Sequence, residues 1–331
     1  MWQRFAGVRL RWEKAGRAQM NRRIAQMAAR WVIRLLMYAL LICLSFVLLY
    51  PLLYAFSQAF RTQADIYNAN VIWIPTAFTW DNFRVLWKGI DYPLLFKNTL
   101  LICVGSSLLQ TAICAVTGYG FARFRFREKA LWMVLLLLTV ILPPQIVSIP
   151  NFFLYKDFDA FGILSLVQRL TGYDIQIRLL DTLGVYFLPA LFGQGMRSGL
   201  FILIFWQFFR GLPQELEDAA CVDGAGSVKT FLRVMTPNCR AAIVVVFLFS
   251  LVWYWNDTYI GNMYMESMET VSMRLALINS DITNLGLNLD RMGQIPYVQA
   301  GILVSIFPLL LLYLVCQKVF VESVERAGIV G

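Results

Sequence analysis

The sequence predicts an all-α polytopic membrane protein with six transmembrane helices and both termini in the cytoplasm. Three observations carry this reading. Of the 331 residues, 59% are hydrophobic and only 15% charged, whereas a soluble chain is nearer half apolar and a quarter charged. The charges that remain fall between uncharged runs of the length, about 20 residues, that a helix needs to cross the hydrocarbon core. The basic residues crowd into alternate connecting segments, as the positive-inside rule requires.

Taken in order, a basic tail (1–30) precedes the first crossing (31–56), whose uncharged run extends from Leu35 to Phe60. That run is too long for the apolar stretch of a signal peptide, and no small-residue cleavage site closes it, so the helix is expected to be retained as an anchor. An external loop (57–97) leads to the remaining five crossings within 98–320. Their runs are Asn98 to Ala122, Ala130 to Tyr155, Thr182 to Phe209 (interrupted at Arg197), Ala241 to Asn256 (continuing past Asp257 to Met265) and Met292 to Gln317. A cytoplasmic tail (321–331) ends the chain. With both ends inside, the inner segments hold 19 of the 29 basic residues but only 8 of the 20 acidic ones. The net charge of +9 is therefore an orientation signal toward membrane lipid, not a nucleic-acid patch. The tail, where Arg4, Arg9 and Arg11 alternate with Trp2, Phe5 and Trp12, reads either as a helix lying on the anionic inner leaflet or as a flexible topogenic segment.

Composition narrows the chemistry. The chain has no histidine, which removes the commonest general base and metal ligand. Its six cysteines form no CxxC pair, so neither a disulfide framework nor a zinc site is expected. No GxxxxGK[ST] sequence is present to cradle nucleotide phosphates.

The most informative stretch is the inner segment Gly211 to Arg240, GLPQELEDAACVDGAGSVKTFLRVMTPNCR. Pro213 can open a helix, and Glu215, Glu217 and Asp218 suit its positive N-terminal end. Ala219 and Ala220 make a thin surface that another backbone can approach. Asp223-Gly224 breaks the helix. Val228 to Met235 reads as a second short helix stopped at Pro237. The physical prediction is a helix–turn–helix within 211–237, lying on the cytoplasmic face.

The order of residues resembles the coupling loop of permease subunits of bacterial ABC importers, in which Glu-Ala-Ala is followed at a fixed distance by Gly. Pro213, Glu215-Leu216, Asp218-Ala219-Ala220, Asp223-Gly224-Ala225, Phe231 and Thr236-Pro237 stand where the carbohydrate branch has its pattern. Asp218 replaces the usual Glu, and Thr236 the usual Leu. PTAFTWDNFRVLW (Pro75 to Trp87), FARFRF (Phe121 to Phe126), PPQIVSIPNF (Pro143 to Phe152), Tyr254 to Asp257 and the tail Gln317 to Gly331 are similar to further family segments. Coverage runs from about Ile72 to the C-terminus and is nearest the maltose-type second permease subunit. The residues around 167–178 exceed the usual family length.

The resemblance implies a type I importer permease fold in the bacterial cytoplasmic membrane, translocating a sugar or oligosaccharide. It implies a second permease subunit (a heterodimer), two ATPase subunits inside and an extracytoplasmic substrate-binding protein. The chain would itself bind no cofactor, ATP and magnesium belonging to the ATPase partner. The coupling residues would be Glu217, Asp218, Ala219, Ala220, Asp223 and Gly224: the alanines allow close approach, Gly224 makes the turn, and Glu217 or Asp218 pairs with a basic residue.

Candidates for the substrate path are Tyr254, Trp255, Asn256 and Arg197, because sugars are held by amides and aromatic faces. The competing reading makes Tyr254 and Trp255 an interfacial belt and Asn256 a tie between helices. Arg197, inside GQGMRSG, reads either as an external gate or cation facing an acidic sugar, or as part of a re-entrant segment before a helix beginning near Ser198. An ion-coupled secondary transporter would show an internal repeat and mid-membrane carboxylates, and an intramembrane enzyme a catalytic constellation. The sequence offers neither.

Overall fold

The computed structural model describes the backbone of residues 2–159, 162–172 and 177–329, and side chains within residues 27–317 of that range. Side chains of the basic N-terminal tail and of the tail motif beyond Gln317 lie outside the described residues, as does part of the 167–178 insertion. The described chain is helical, with one isolated antiparallel bridge between Phe158 and Ile177.

The first helix, α1 (Trp2–Ala59), runs unbroken through the tail and the first apolar run. At 1.5 Å per residue its 58 residues measure about 87 Å, so no break divides a surface-lying helix from the crossing. The external loop folds into α2 (Gln63–Ile66) and α3 (Asp81–Gly89). It is closed by Asp65, which accepts from the Thr76 N–H at 3.0 Å and from the Thr76 hydroxyl. These bonds hold the Asp65 carboxyl below the usual carboxylate range.

Helix α4 (Tyr92–Arg123) begins six residues before the apolar run, because Pro93 suits the first turn. It is the central post. Thr99, Ile102, Cys103, Ser106, Gln110 and Cys114 are fully buried along it, and small residues let its neighbours close in. Gly118 marks the tightest point: a Cβ there would stand 2.5 Å from Phe205 Cβ and 2.9 Å from the Trp206 backbone nitrogen.

The third apolar run is not one straight crossing. It forms α5 (Lys129–Ile141) and α6 (Pro144–Lys156), bent by 99°. Leu142 and Pro143 are extended, as the residue before each proline must be. After α7 (Ile163–Thr171), the fourth run is split at the position of Arg197 into α8 (Gly184–Leu191) and α9 (Ser198–Gly211).

The elbow consists of α10 (Glu215–Val222), α11 (Ser227–Thr230), a π-helical turn (Phe231–Met235) and α12 (Thr236–Asn238). Pro237 does not stop the second arm. It sits in the first turn of α12, and the Thr236 hydroxyl donates 2.8 Å to the Phe231 carbonyl, which also accepts the Thr236 N–H in the i→i+5 bond of the π turn. The true corner is at Cys239, where the chain bends by 81° into α13 (Arg240–Trp255).

The fifth run ends at Trp255 instead of continuing to Met265. Asp257 caps α14 (Tyr259–Tyr264) by accepting from the Ile260 and Gly261 N–H groups at 3.1 Å, and it accepts from the Tyr186 hydroxyl at 2.7 Å. The external loop continues through α15 (Val271–Ala276) and α16 (Ile278–Asn284) to α17 (Arg291–Ile329), which carries Pro296 and Pro308. Among the described residues, α1, α4 and α17 each hold a stretch long and apolar enough to cross a bilayer, five candidates arise if each bent pair counts once, and α9 is a shorter apolar helix.

Candidate functional site

The elbow is built on the inner end of α4. Arg123, the first of the two arginines of the FARFRF segment, lies with its Nε 3.5 Å from Glu217 of α10. A second guanidinium nitrogen donates 2.7 Å to the Leu212 carbonyl just before α10. Both side chains of the pair are largely shielded, 12% and 17% exposed. Above them Tyr119 of α4, Phe209 of α9 and Phe231 of the π turn form a ring cluster with centroids 5.1 to 6.1 Å apart. Met235 and Cys239 are fully buried behind it. Rings this close bury large apolar areas and hold a fixed mutual geometry, so α4, α9 and both arms of the elbow share one packed base.

The residues singled out in the elbow separate by direction. Asp218, Ala219 and Asp223 are exposed, while Ala220 is buried. Glu217 faces inward to Arg123. The α10 helix ends at Val222, and Gly224 takes φ +73° with nothing within 4 Å of where a Cβ would stand. The turn therefore demands glycine for its backbone, not for space. What sequence reasoning missed is Arg123. The motif offers two arginines, and only the fold brings the first of them to a carboxylate some ninety residues away.

The second cluster surrounds the break in the fourth run. Gln110 of α4 donates 2.6 Å to the Met196 carbonyl and 3.0 Å to the Ser198 hydroxyl, and its own carbonyl oxygen accepts from Ser250 of α13 at 3.1 Å. The Met196 N–H donates to the Tyr254 hydroxyl at 3.3 Å. Gln110 and Tyr254 together thus supply the partners of both backbone groups of Met196 in the irregular segment. Arg197 has φ +60° and is exposed, its guanidinium carbon 4.8 Å from the Trp253 ring centroid.

Tyr254 and Trp255 are buried within the bundle, 3% and 2% exposed. Trp255 donates 3.2 Å to the Ser305 carbonyl of α17. They are core ties in this chain and not a belt facing lipid. Asn256 is exposed and donates to Val252 of its own helix at 2.9 Å, so it does not bridge helices. Of the four path candidates, Arg197 and Asn256 reach the surface of the chain.

Outside, Asp181 at φ +62° accepts from the Glu266 and Ser267 N–H groups, both at 2.8 Å. These bonds pull its carboxyl below the ordinary range and tie the second external loop to the third. Arg274 lies between Glu269 at 3.0 Å and Asp281 at 2.8 Å. Burial pushes the Asp281 carboxyl up, against the pull of Arg274.

An all-helical membrane bundle with a stiff elbow rooted at one end and a broken helix in its middle defines a transport component. The chain belongs to the family of binding-protein-dependent transport system inner membrane components, whose signature matches residues 112–326. It is 24% identical over 307 residues to the maltodextrin transport system permease protein MdxG of Bacillus subtilis, covering 92% of this chain and 98% of that one. It is 22% identical over 277 residues to the probable starch degradation products transport system permease protein AmyC of Thermoanaerobacterium thermosulfurigenes, covering 82% and 88%. Its fold matches a solved chain of a bacterial ABC transporter involved in import of the acidic polysaccharide alginate, with a TM-score of 0.65 at 19% identity over 87% of this chain and 96% of that one. The chain is thus a permease of an importer, the membrane component and not the ATPase.

Proposed function

We propose that this chain is the permease subunit through which an ATP-driven importer of the bacterial cytoplasmic membrane moves a sugar or oligosaccharide handed over by an extracytoplasmic binding protein. The six apolar runs make six crossings with both termini inside, the basic excess of the inner segments supporting that orientation. A second permease subunit completes the pathway as a heterodimer, and two ATPase subunits, carrying ATP and magnesium, sit below. Carbohydrate as cargo is supported by the maltodextrin and starch-product relatives.

The observation that carries the reading is the exposed ridge of the elbow. Asp218, Ala219 and Asp223 lie on the surface beside Gly224, in the order of a coupling loop, while Ala220 is buried and Glu217 fastens the same short helix to α4. A docking element has to be presented outward and anchored inward. Closure of the ATPase dimer would push α10. The push would pass through the Arg123–Glu217 contact and the Tyr119–Phe209–Phe231 cluster into α4 and α9, tilting the bundle as a body.

Cys221, exposed on α10, provides the test. With Cys43 and Cys316 replaced by serine, a thiol reagent should label Cys221 in membranes lacking the ATPase subunit and be blocked when the ATPase is coexpressed. A short bifunctional reagent should cross-link the two chains through Cys221. Equal labelling with and without the ATPase, and no cross-link, would refute the docking role.

A further inference from the structure

Arg197 stands at bilayer depth with no countercharge among the described ion pairs. Three helices give the same depth. Arg197 is 14 residues above Gly211, Trp253 is 13 above Arg240, and Gln110 is 13 above Arg123, each about 20 Å from the elbow end of its helix. The hydrocarbon core is about 30 Å thick, so with the six proposed crossings this cation lies inside it.

Resting on the reading as a sugar importer permease, we propose that Arg197 is a binding residue for the carboxylate of an acidic, uronate-type sugar passing through the pathway. The side chain is held out by a rigid base. Cβ atoms at Gly195 and Gly199 would stand 2.6 Å from the Tyr254 hydroxyl and 2.5 Å from Thr139 Oγ1, so the break is packed on both sides and cannot collapse around the arginine. Gln110 donates to the residue on either side of it, to the Met196 carbonyl and the Ser198 hydroxyl, and Trp253 supports the guanidinium. Gln194 in the same break, and Asn256 three residues beyond Trp253, are exposed with it. A polar strip of this kind is not tolerated against lipid tails and must front a watered or protein-lined cavity.

The charge selects the ligand. A guanidinium fork matches a carboxylate in two parallel hydrogen bonds. One positive charge is neutralised by one carboxylate, whereas a phosphate dianion would leave net negative charge in a low-dielectric site. Asn256 donates to Val252 and keeps its carbonyl oxygen to accept from a sugar hydroxyl.

The test is uptake of a labelled uronate trisaccharide and of neutral maltotriose by the complete importer in proteoliposomes. R197Q should lower uronate uptake at least tenfold and change maltotriose uptake by less than twofold. R197K, which keeps the charge, should fall between R197Q and wild type. Equal loss of both sugars in R197Q, an R197K as inactive on the uronate as R197Q, or a wild-type importer that carries no uronate would each overturn the proposal. Dissociation of the two permease subunits in R197Q would overturn it in favour of a carboxylate on the second subunit. Failure of the importer reading itself is seen separately, as ATPase activity that the loaded binding protein does not stimulate.

Discussion

Replacing Arg123 by alanine tests the link between elbow and bundle most directly. The change removes the partner of Glu217 at 3.5 Å and the donor to the Leu212 carbonyl at 2.7 Å. Stranding one member of a fully buried pair costs about 3–5 kcal/mol. Here both side chains keep some access to water, 12% and 17%, so about 2 kcal/mol is the reasonable figure for loosening α10 from its seat. That corresponds to a roughly thirtyfold rise in the undocked population. Hydrogen exchange of residues 212–224 in the purified complex should speed up by about that factor, with residues 98–118 of α4 unchanged. Substrate uptake should fall by roughly an order of magnitude while basal ATP hydrolysis persists, because the push would no longer reach α4. Adding E217Q removes the stranded charge and should recover part of the protection, a non-additivity that only a direct contact yields. Unchanged exchange in R123A, or a double variant no better protected than the single, would refute the reasoning.

Gly224→Val forces a β-branched residue to φ +73°, at a cost of about 1–2 kcal/mol. Transport and stimulated ATP hydrolysis should be lost while membrane insertion, read by protease accessibility, is normal. Gly118→Val drives a side chain into Phe205 and the Trp206 backbone, and overpacking of this kind costs about 1–3 kcal/mol. The detergent-solubilised protein should melt several degrees lower, and an unchanged Tm would show that α4 and α9 are less closely packed. The Asp181 carboxyl is lowered by the Ser267 and Glu266 N–H groups. Its contribution to holding the loops together is therefore complete above the unfolded carboxylate value near 4 and is lost as pH falls through the lower folded value. Protection of the amides at residues 265–268, measured against their intrinsic exchange at each pH, should fall on acidification in the wild type and be lower but pH-independent in D181N.

The helical class and the position of the elbow were legible in the sequence because both rest on local chemistry: long uncharged runs, and Pro213 and Asp223-Gly224 at the ends of α10. The break at Arg197 was legible too, three glycines in seven residues leaving little else possible. What the sequence did not reveal depends on contacts between distant segments. Apolar length alone cannot distinguish a straight crossing from the 99° bend after Leu142. Nor can composition distinguish an aromatic at a membrane interface from one buried in the bundle, as Tyr254 and Trp255 are. Glu217 and Asp218 are adjacent carboxylates of the same kind, and only the position of Arg123 gives them opposite directions.

The outer end of α1 is held by the far end of the chain. Ala59 and Phe60 pack with Ile278, Ile282, Tyr297 and Ala300, and Gln63 donates 2.9 Å to the Gly293 carbonyl. The external loop clasps this end early, Asn82 donating 2.8 Å to the Ala59 carbonyl and Trp80 and Phe83 packing on the Phe60 ring, but during synthesis the seat on α17 must wait until more than two hundred further residues have been threaded. A ribosome that stalls before α17 would leave α1 and its loop without the surface they close against, and closing that ring is the natural checkpoint for a finished subunit.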